Sequence, residues 1–287
     1  MSIIPQLILN SIIAGSIYAL MAMGFNLIYG ATKFFNFAHG AIAVIGGYAF
    51  FFLTNNLGFN FYLSILIGII FAAFAALLLE KLIYLPLRKR KASNLVLLVA
   101  SIGAFTVIQA IVAILFSSQF QILSDSNDQI IFQIIGGTIT QTQTAIFFSA
   151  IIILSGIILL FKKTATGKAI QAISDDEEVA KIVGINTNKI IGLVFFIGSA
   201  VAGLAGIFVG LDTGISPTMG LGLLLKGVIA SIIGGVGSIY GAFLGAFLLG
   251  FAENFGIWKI SGEWKDAIAF GLLIIFLIFR PRGIIKK

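Results

Sequence analysis

The sequence predicts an all-α polytopic membrane protein of about eight transmembrane helices, with interrupted or re-entrant segments among them. Three observations carry this. Of the 287 residues, 59% are hydrophobic and only 10% charged, with a mean hydropathy of +1.12. That is more apolar surface than a soluble chain of this length could hide. The apolar residues also fall in runs near the roughly 20 residues that a helix needs to cross a bilayer. Finally, the basic residues are grouped: stretches 81–91, 162–189 and 280–287 hold five, five and four Lys/Arg, which is 14 of 18. By the positive-inside rule these stretches, and the C-terminus, face the cytoplasm. The formal charge of +7 then reports topology in a lipid bilayer, not a nucleic-acid partner. With no cysteine in the chain, disulfides and thiolate metal sites are excluded. The N-terminus lacks a basic n-region, so its first span is expected to be retained, not cleaved as a signal peptide.

The first span covers about 7–28. It leads into GATKFFNFAHGAIAVIGGY at 30–48, and the apolar run after His39, up to about Thr54, is 14 residues. At 1.5 Å per residue that reaches about 21 Å, short of a hydrocarbon core of about 30 Å. Including 34–40 restores the length and brings Asn36, His39 and Gly40 into or against the membrane as an interrupted helix lining a cavity. A short loop at 55–60 precedes a span ending near Leu79, after which Pro86 is expected to break the helix before the basic block 88–91. The next span, 95–116, gives way to a polar stretch at 117–143 that holds Asp125 and Asp128 but no Lys or Arg, expected outside. A further span occupies 144–161.

The central loop 162–189 contains nine of the chain's 29 charged residues. Ser174 followed by Glu177 has the spacing of a capping box, and Asp175, Asp176, Glu177 and Glu178 supply acids where a helix dipole favours them. Val179, Ile182 and Val183 form an apolar stripe and Gly184 is a natural stop. The reading is a short amphipathic helix, alone between spans, that docks a partner. In the following span, 190–209, Gly198, Ala202, Gly206 and Gly210 recur every four residues, a seam for close helix packing.

If Asp212 is outside and Arg280 inside, and 264–279 crosses once, then 222–252 must return to the side it left. Its two halves flank GGVGSIYG and form either short tilted helices or a re-entrant pair. Undersized, glycine-interrupted segments at 31–54 and 222–252 form the pattern of a transporter with pseudo-symmetric halves. The expectation is that 34–40 and 234–241 approach one another near the midplane and flank the path, with Asn36, His39, Gly235, Gly237 and Ser238 on it. Against that, the glycine stripes read more readily as packing seams than as substrate contacts. His39 reads as a structural histidine rather than a proton relay, since no intramembrane acid accompanies it. Lys226 reads as a side chain that snorkels to the interface.

Little else could carry chemistry. GKA at 167–169 lacks the glycine and Ser/Thr of a P-loop, so no ATP site is encoded, and GGVGSIYG follows no strand. One histidine, no cysteine and no paired carboxylates within the spans leave no enzyme and no metal site.

At these residues the chain resembles the membrane permease subunits of branched-chain amino acid ABC importers. The matching stretches are GFNLIYGATKFFNFAHGAIAVIGGY, SDDEEVAKIVGIN and LLLKGVIASIIGGVGSIYGAFLGAFLLGFAE, in the family's order and spanning most of the chain. One departure is Tyr240, where the family commonly has proline. The resemblance implies a single permease domain over 1–287 with a type II-like ABC importer fold in the bacterial cytoplasmic (inner) membrane. It implies that Asp175, Asp176, Glu177, Ala180, Gly184 and Ile185 belong to a coupling helix. The implied partners are a second permease subunit, two cytoplasmic ATP-binding subunits and an extracytoplasmic binding protein, with no cofactor in this chain because the partners use the ATP. The implied cargo is leucine, isoleucine and valine. An ABC permease for urea or short amides is the nearest alternative, and a secondary transporter or channel, which would need no docking helix, the more distant one.

Overall fold

The computed structural model describes residues 3–122, 130–134 and 136–285. Asp125 and Asp128 of the polar stretch, and Lys286 and Lys287 of the basic tail, lie outside the described residues. Among the described residues, seven helical segments are long and apolar enough to cross a membrane, accompanied by shorter helices. In order, the elements are α1 (Ile4–Thr32), α2 (Ala38–Phe51), α3 (Phe61–Leu79), α4 (Leu85–Lys89), α5 (Asn94–Phe116), β1 (Ile131–Ile134), β2 (Gly137–Thr140), α6 (Gln141–Lys163), α7 (Ala165–Asp175), α8 (Glu177–Ile182), α9 (Thr187–Thr213), α10 (Met219–Gly234), α11 (Ile239–Gly256) and α12 (Lys265–Phe279).

Local chemistry places most of the boundaries. Pro5 sits in the first turn of α1, where a missing N–H costs nothing. The side chains of Asn60, Ser93 and Asn186 accept backbone N–H bonds at the starts of α3, α5 and α9. Thr140 and Gln143 close a full capping box on α6. Just before it, β1 and β2 pair antiparallel in register Ile131 with Thr140, and Gln6 of α1 bonds Thr138. This hairpin marks one end of the bundle. The helices α7 and α8, the basic block 88–91 and the C-terminal tail mark the other, called here the basic end.

The expected break at Pro86 is instead a bulge. Proline removes one N–H and crowds the carbonyl four residues back, and the backbone responds with a π-turn over Glu80–Tyr84 immediately before it. The helix then continues to Lys89, with Pro86 in the first turn of α4. The wider turn points Glu80 and Tyr84 inward, where both are buried and Glu80 pairs with Arg88.

Two long helices, α1 and α9, run antiparallel through the centre. The end of α1 lies beside α7, its residues near Gly24 meet Gly198, and its start lies level with Asp212. A Cβ built on Gly24 would stand 2.5 Å from the Gly198 carbonyl oxygen, and one on Gly198 would stand 2.8 Å from that of Gly24. Only glycine permits this approach, which is what the four-residue stripe on α9 anticipates. Each long helix is followed by five connecting residues, 33–37 or 214–218, and then by a shorter helix, α2 or α10. The short helices cross where a Cβ on Gly220 would lie 2.6 Å from the carbonyl oxygen of Gly40. The two short helices thus follow the two long antiparallel ones, α2 after α1 and α10 after α9. The segment 222–252 resolves into a hairpin of two helices, α10 and α11, packed along each other through Gly234, Gly241 and Gly245. At 16 and 18 residues they measure about 24 and 27 Å. The outer helices expose apolar side chains such as Leu95, Ile114, Phe148 and Ile278, as lipid contact requires.

Candidate functional site

The central loop folds as an elbow of two helices, not one. α7 is anchored to the bundle by buried Ile170 and Ile173, and by Lys33 Nζ, which donates to the Ser174 carbonyl at 2.5 Å. Ser174 is inside α7, so the cap of α8 is Asp176, whose carboxylate accepts from the N–H of Glu178 at 2.8 Å and Val179 at 3.0 Å. The sequence signal was real but shifted by two residues, because Ser174 continues the preceding helix. Glu177 pairs with Lys181 at 2.8 Å across one turn. α8 ends in a Schellman turn, with Ile185 N–H bonded to Ala180 O and Gly184 N–H to Lys181 O. Gly184 has φ +88 and no atom near the position a Cβ would take. Val179, Ile182 and Val183 are more than half exposed, whereas Ala180 is buried against its own chain. Of the six residues read as a coupling element, Ala180 thus seats α8 on the bundle, while the exposed apolar face belongs to its neighbours.

The two expected breaks do not pack on each other. In the first, Asn36 Oδ1 accepts from Tyr84 OH at 2.9 Å, Phe37 N–H donates to Ser101 Oγ at 3.0 Å, and His39 is fully buried beside Gly24. In the second, Asn26 donates to Ser238 O at 3.1 Å and accepts from Gly237 N–H at 3.2 Å. Gly235 is covered by the tail, whose Ile284 and Ile285 N–H groups bond Ile233 O and Gly234 O. Gly24 and Asn26 are two residues apart on α1, so they look out on nearly opposite sides of that helix. The segment 34–40 instead meets the start of α10, because Gly40 abuts Gly220 and Leu224. The turn residue Ser238 caps α11, which puts Tyr240 in the helix's first turn, where a proline is equally accommodated.

Two polar cavities lie along α1. At the basic end, a cavity of about 210 Å³ is lined by Asn26, Gln171, Ser174, Gly237, Ser238 and Tyr240. Toward the hairpin end, one of about 530 Å³ is lined by Asn10, Tyr18, Gln143, Asp212, Lys226 and Lys265, among others. Between them the segment 19–25 of α1 is packed shut, with every apolar side chain at most 2% exposed.

Beside the larger cavity lies an ion cluster whose pairing the sequence reading missed. Lys226 does not snorkel: its ammonium lies 2.5 Å from Glu253 Oε1 and 2.7 Å from Asp266 Oδ1. Glu253 is fully buried and accepts from Tyr18 OH at 2.7 Å, with the Lys265 ammonium 3.9 Å away. Four helices, α1, α10, α11 and α12, thereby converge on one carboxylate. The sequence offered a faint signal, since Glu253 is an acid inside an apolar stretch. Its distance of 27 residues from Lys226 hid the pairing until the α10–α11 hairpin was known.

Comparison with known proteins follows the same lines. The family model described as "Branched-chain amino acid transport system / permease component" matches residues 7–277. The permease protein BraD of a high-affinity branched-chain amino acid transport system in Pseudomonas aeruginosa is 33% identical, covering 98% of this chain and 95% of its own. The corresponding LivH of Escherichia coli is 31% identical with the same coverage. Among solved structures, PsaBC from Streptococcus pneumoniae in complex with Fab aligns over 98% of this chain and 93% of that one, with a TM-score of 0.54 and 14% identity, a likeness of fold alone. The resemblance read from the three motifs is thereby borne out, and the chain belongs to the branched-chain amino acid transport permease family.

Proposed function

We propose that this permease forms the membrane channel of an ATP-driven importer for leucine, isoleucine and valine. The observation that carries this reading is the α7–α8 elbow. It is a rigidly capped element at the basic end, with Val179, Ile182 and Val183 facing outward, on a chain with no nucleotide motif of its own. Such a face suits separate ATP-binding subunits, and the relatives' names supply the cargo. The full assembly is then one permease unit spanning 1–287, a second permease, two cytoplasmic ATPases and an external binding protein. The basic end and the C-terminus are cytoplasmic by the positive-inside count, and the β-hairpin is external. In this topology the larger cavity opens toward the binding protein and the smaller toward the cytoplasm.

The test is uptake by the reconstituted assembly. Proteoliposomes should accumulate radiolabelled leucine and valine, and not urea, only with ATP and loaded binding protein. Uptake of urea alone would move the chain to the amide importers; uptake without ATPases would make it a secondary transporter. Single cysteines in this cysteine-free chain check the sidedness. In intact cells a membrane-impermeant thiol reagent should label Ser118→Cys and spare Glu178→Cys, and the reverse pattern would invert the topology.

A further inference from the structure

A buried ion pair is a poor way to gain stability, because desolvation consumes most of the attraction. The cluster around Lys226 is also unevenly matched. Lys226 is tightly held by two carboxylates, but Lys265 reaches only 3.9 Å from an oxygen of Glu253, with its side chain 37% exposed. Asp212, on the cavity wall, accepts a bond from Gln143 Nε2 at 3.0 Å and has no cation within 4 Å among the described residues. A loosely held cation, Lys265, and Asp212, which feels its charge without a direct ion pair, thus line the same cavity. Its volume of about 530 Å³ lies within the roughly 300–1,000 Å³ of small-molecule sites. The first turn of α10, Met219 and Gly222, also borders it, and the partial positive charge of a helix start favours an anion. Ile13, Ala14, Ile17, Val209 and Leu223 give the wall an aliphatic strip, flanked by the polar Asn10, Thr213 and Asn254.

We propose that this cavity is a binding site for a zwitterionic amino acid within the permease itself. The α-carboxylate sits against Lys265 and the start of α10, the α-ammonium against Asp212, and the aliphatic side chain along the Ile13–Ile17 face of α1. Lys226, already neutralised by Glu253 and Asp266, borders the site without adding a free charge. The site selects for both charges of the amino-acid head and offers the side chain an aliphatic strip, so it accepts leucine, isoleucine and valine alike. This assignment rests on the amino-acid cargo proposed above.

The test uses the complete assembly in proteoliposomes. Asp212→Asn and Lys265→Gln should each lower ATP-driven leucine uptake about tenfold or more, the scale of one charge-assisted bond. Gly222→Cys places a thiol in the cavity wall, where an added Cβ meets open space. Leucine should protect that thiol from a charged methanethiosulfonate reagent, and 4-methylpentanoate, which lacks the ammonium, should not. Parental uptake in either charge variant overturns the site. So does loss of uptake without protection by leucine, which marks a purely structural role. If the parent assembly imports urea and not leucine, the cargo reading fails and takes this one with it. Import of leucine by the parent together with any of the earlier failures rejects the site alone.

Discussion

At the scale of single residues, two positions have sharply different reasons to resist change. Gly184 touches nothing where a Cβ would be, so a substitution there is opposed only by its φ of +88. A left-handed conformation costs an ordinary L-residue about 1–2 kcal/mol, and a β-branched side chain is the stiffest choice. Gly184→Val should therefore insert normally yet lose ATP-coupled uptake as the end of α8 shifts, while Gly184→Asn, which tolerates this conformation, should keep most of it. Equal uptake by both would remove the turn from the coupling element. Glu253 is the opposite case, completely enclosed and bonded by Tyr18 and Lys226. Glu253→Ala leaves a buried ammonium with only Asp266, a change worth about 3–5 kcal/mol. Its thermal transition in detergent should fall well below the parent's, with Glu253→Gln between the two because it still accepts the tyrosine's bond.

At the scale of elements, nearly every span was legible, because bilayer thickness fixes helix length. What escaped was whatever depends on partners distant in the chain. Pro86 announced a disturbance, but only the inward demand of Glu80 and Tyr84 makes it a π-turn and not an end. Ser174 and Glu177 had the right spacing, but Ser174 is buried in α7 and Asp176 takes the cap. The candidate path residues divide by the same logic. Gly237 and Ser238 reach a polar cavity, whereas Asn36 and His39 are enclosed near the start of α2. Length alone revealed two undersized segments, and it could not say that α2 would meet α10. The junction gives a clean expectation. A Cβ on Gly220 lies 2.6 Å from the Gly40 carbonyl oxygen and 2.8 Å from a Val44 methyl. Gly220→Leu must push α2 and α10 apart, so it should impair assembly and uptake, whereas Gly222→Leu, two residues on with open space around it, should leave assembly intact. Equal assembly yields for the two would mean that the crossing is not a fixed contact.

At the scale of the whole molecule, the proposed coupling requires that an event at the elbow reach a cavity near the other end. α7 rests on α6, α1 and α9, so a rigid shift of the elbow bears directly on both central helices at their basic ends. Those helices are stiff and locked together at Gly24 and Gly198, and each leads through five residues into a short helix of the crossing pair. Displacing α1 against α9 must therefore either open the crossing of α2 and α10 or carry it along, and the closed segment 19–25 of α1 between the two cavities lies in that path. One link between elbow and α1 is Lys33, a non-glycine residue with φ +56 that ends α1 and donates to the Ser174 carbonyl. Lys33→Asn tests it with little backbone penalty, because asparagine accepts the left-handed conformation but is too short to repeat the ammonium's bond. In proteoliposomes this variant should still hydrolyse ATP with bound ATPases while importing severalfold less leucine per ATP. A variant that loses hydrolysis and uptake in proportion would place Lys33 in docking instead, and one that keeps the parental ratio would show that motion reaches α1 by another contact.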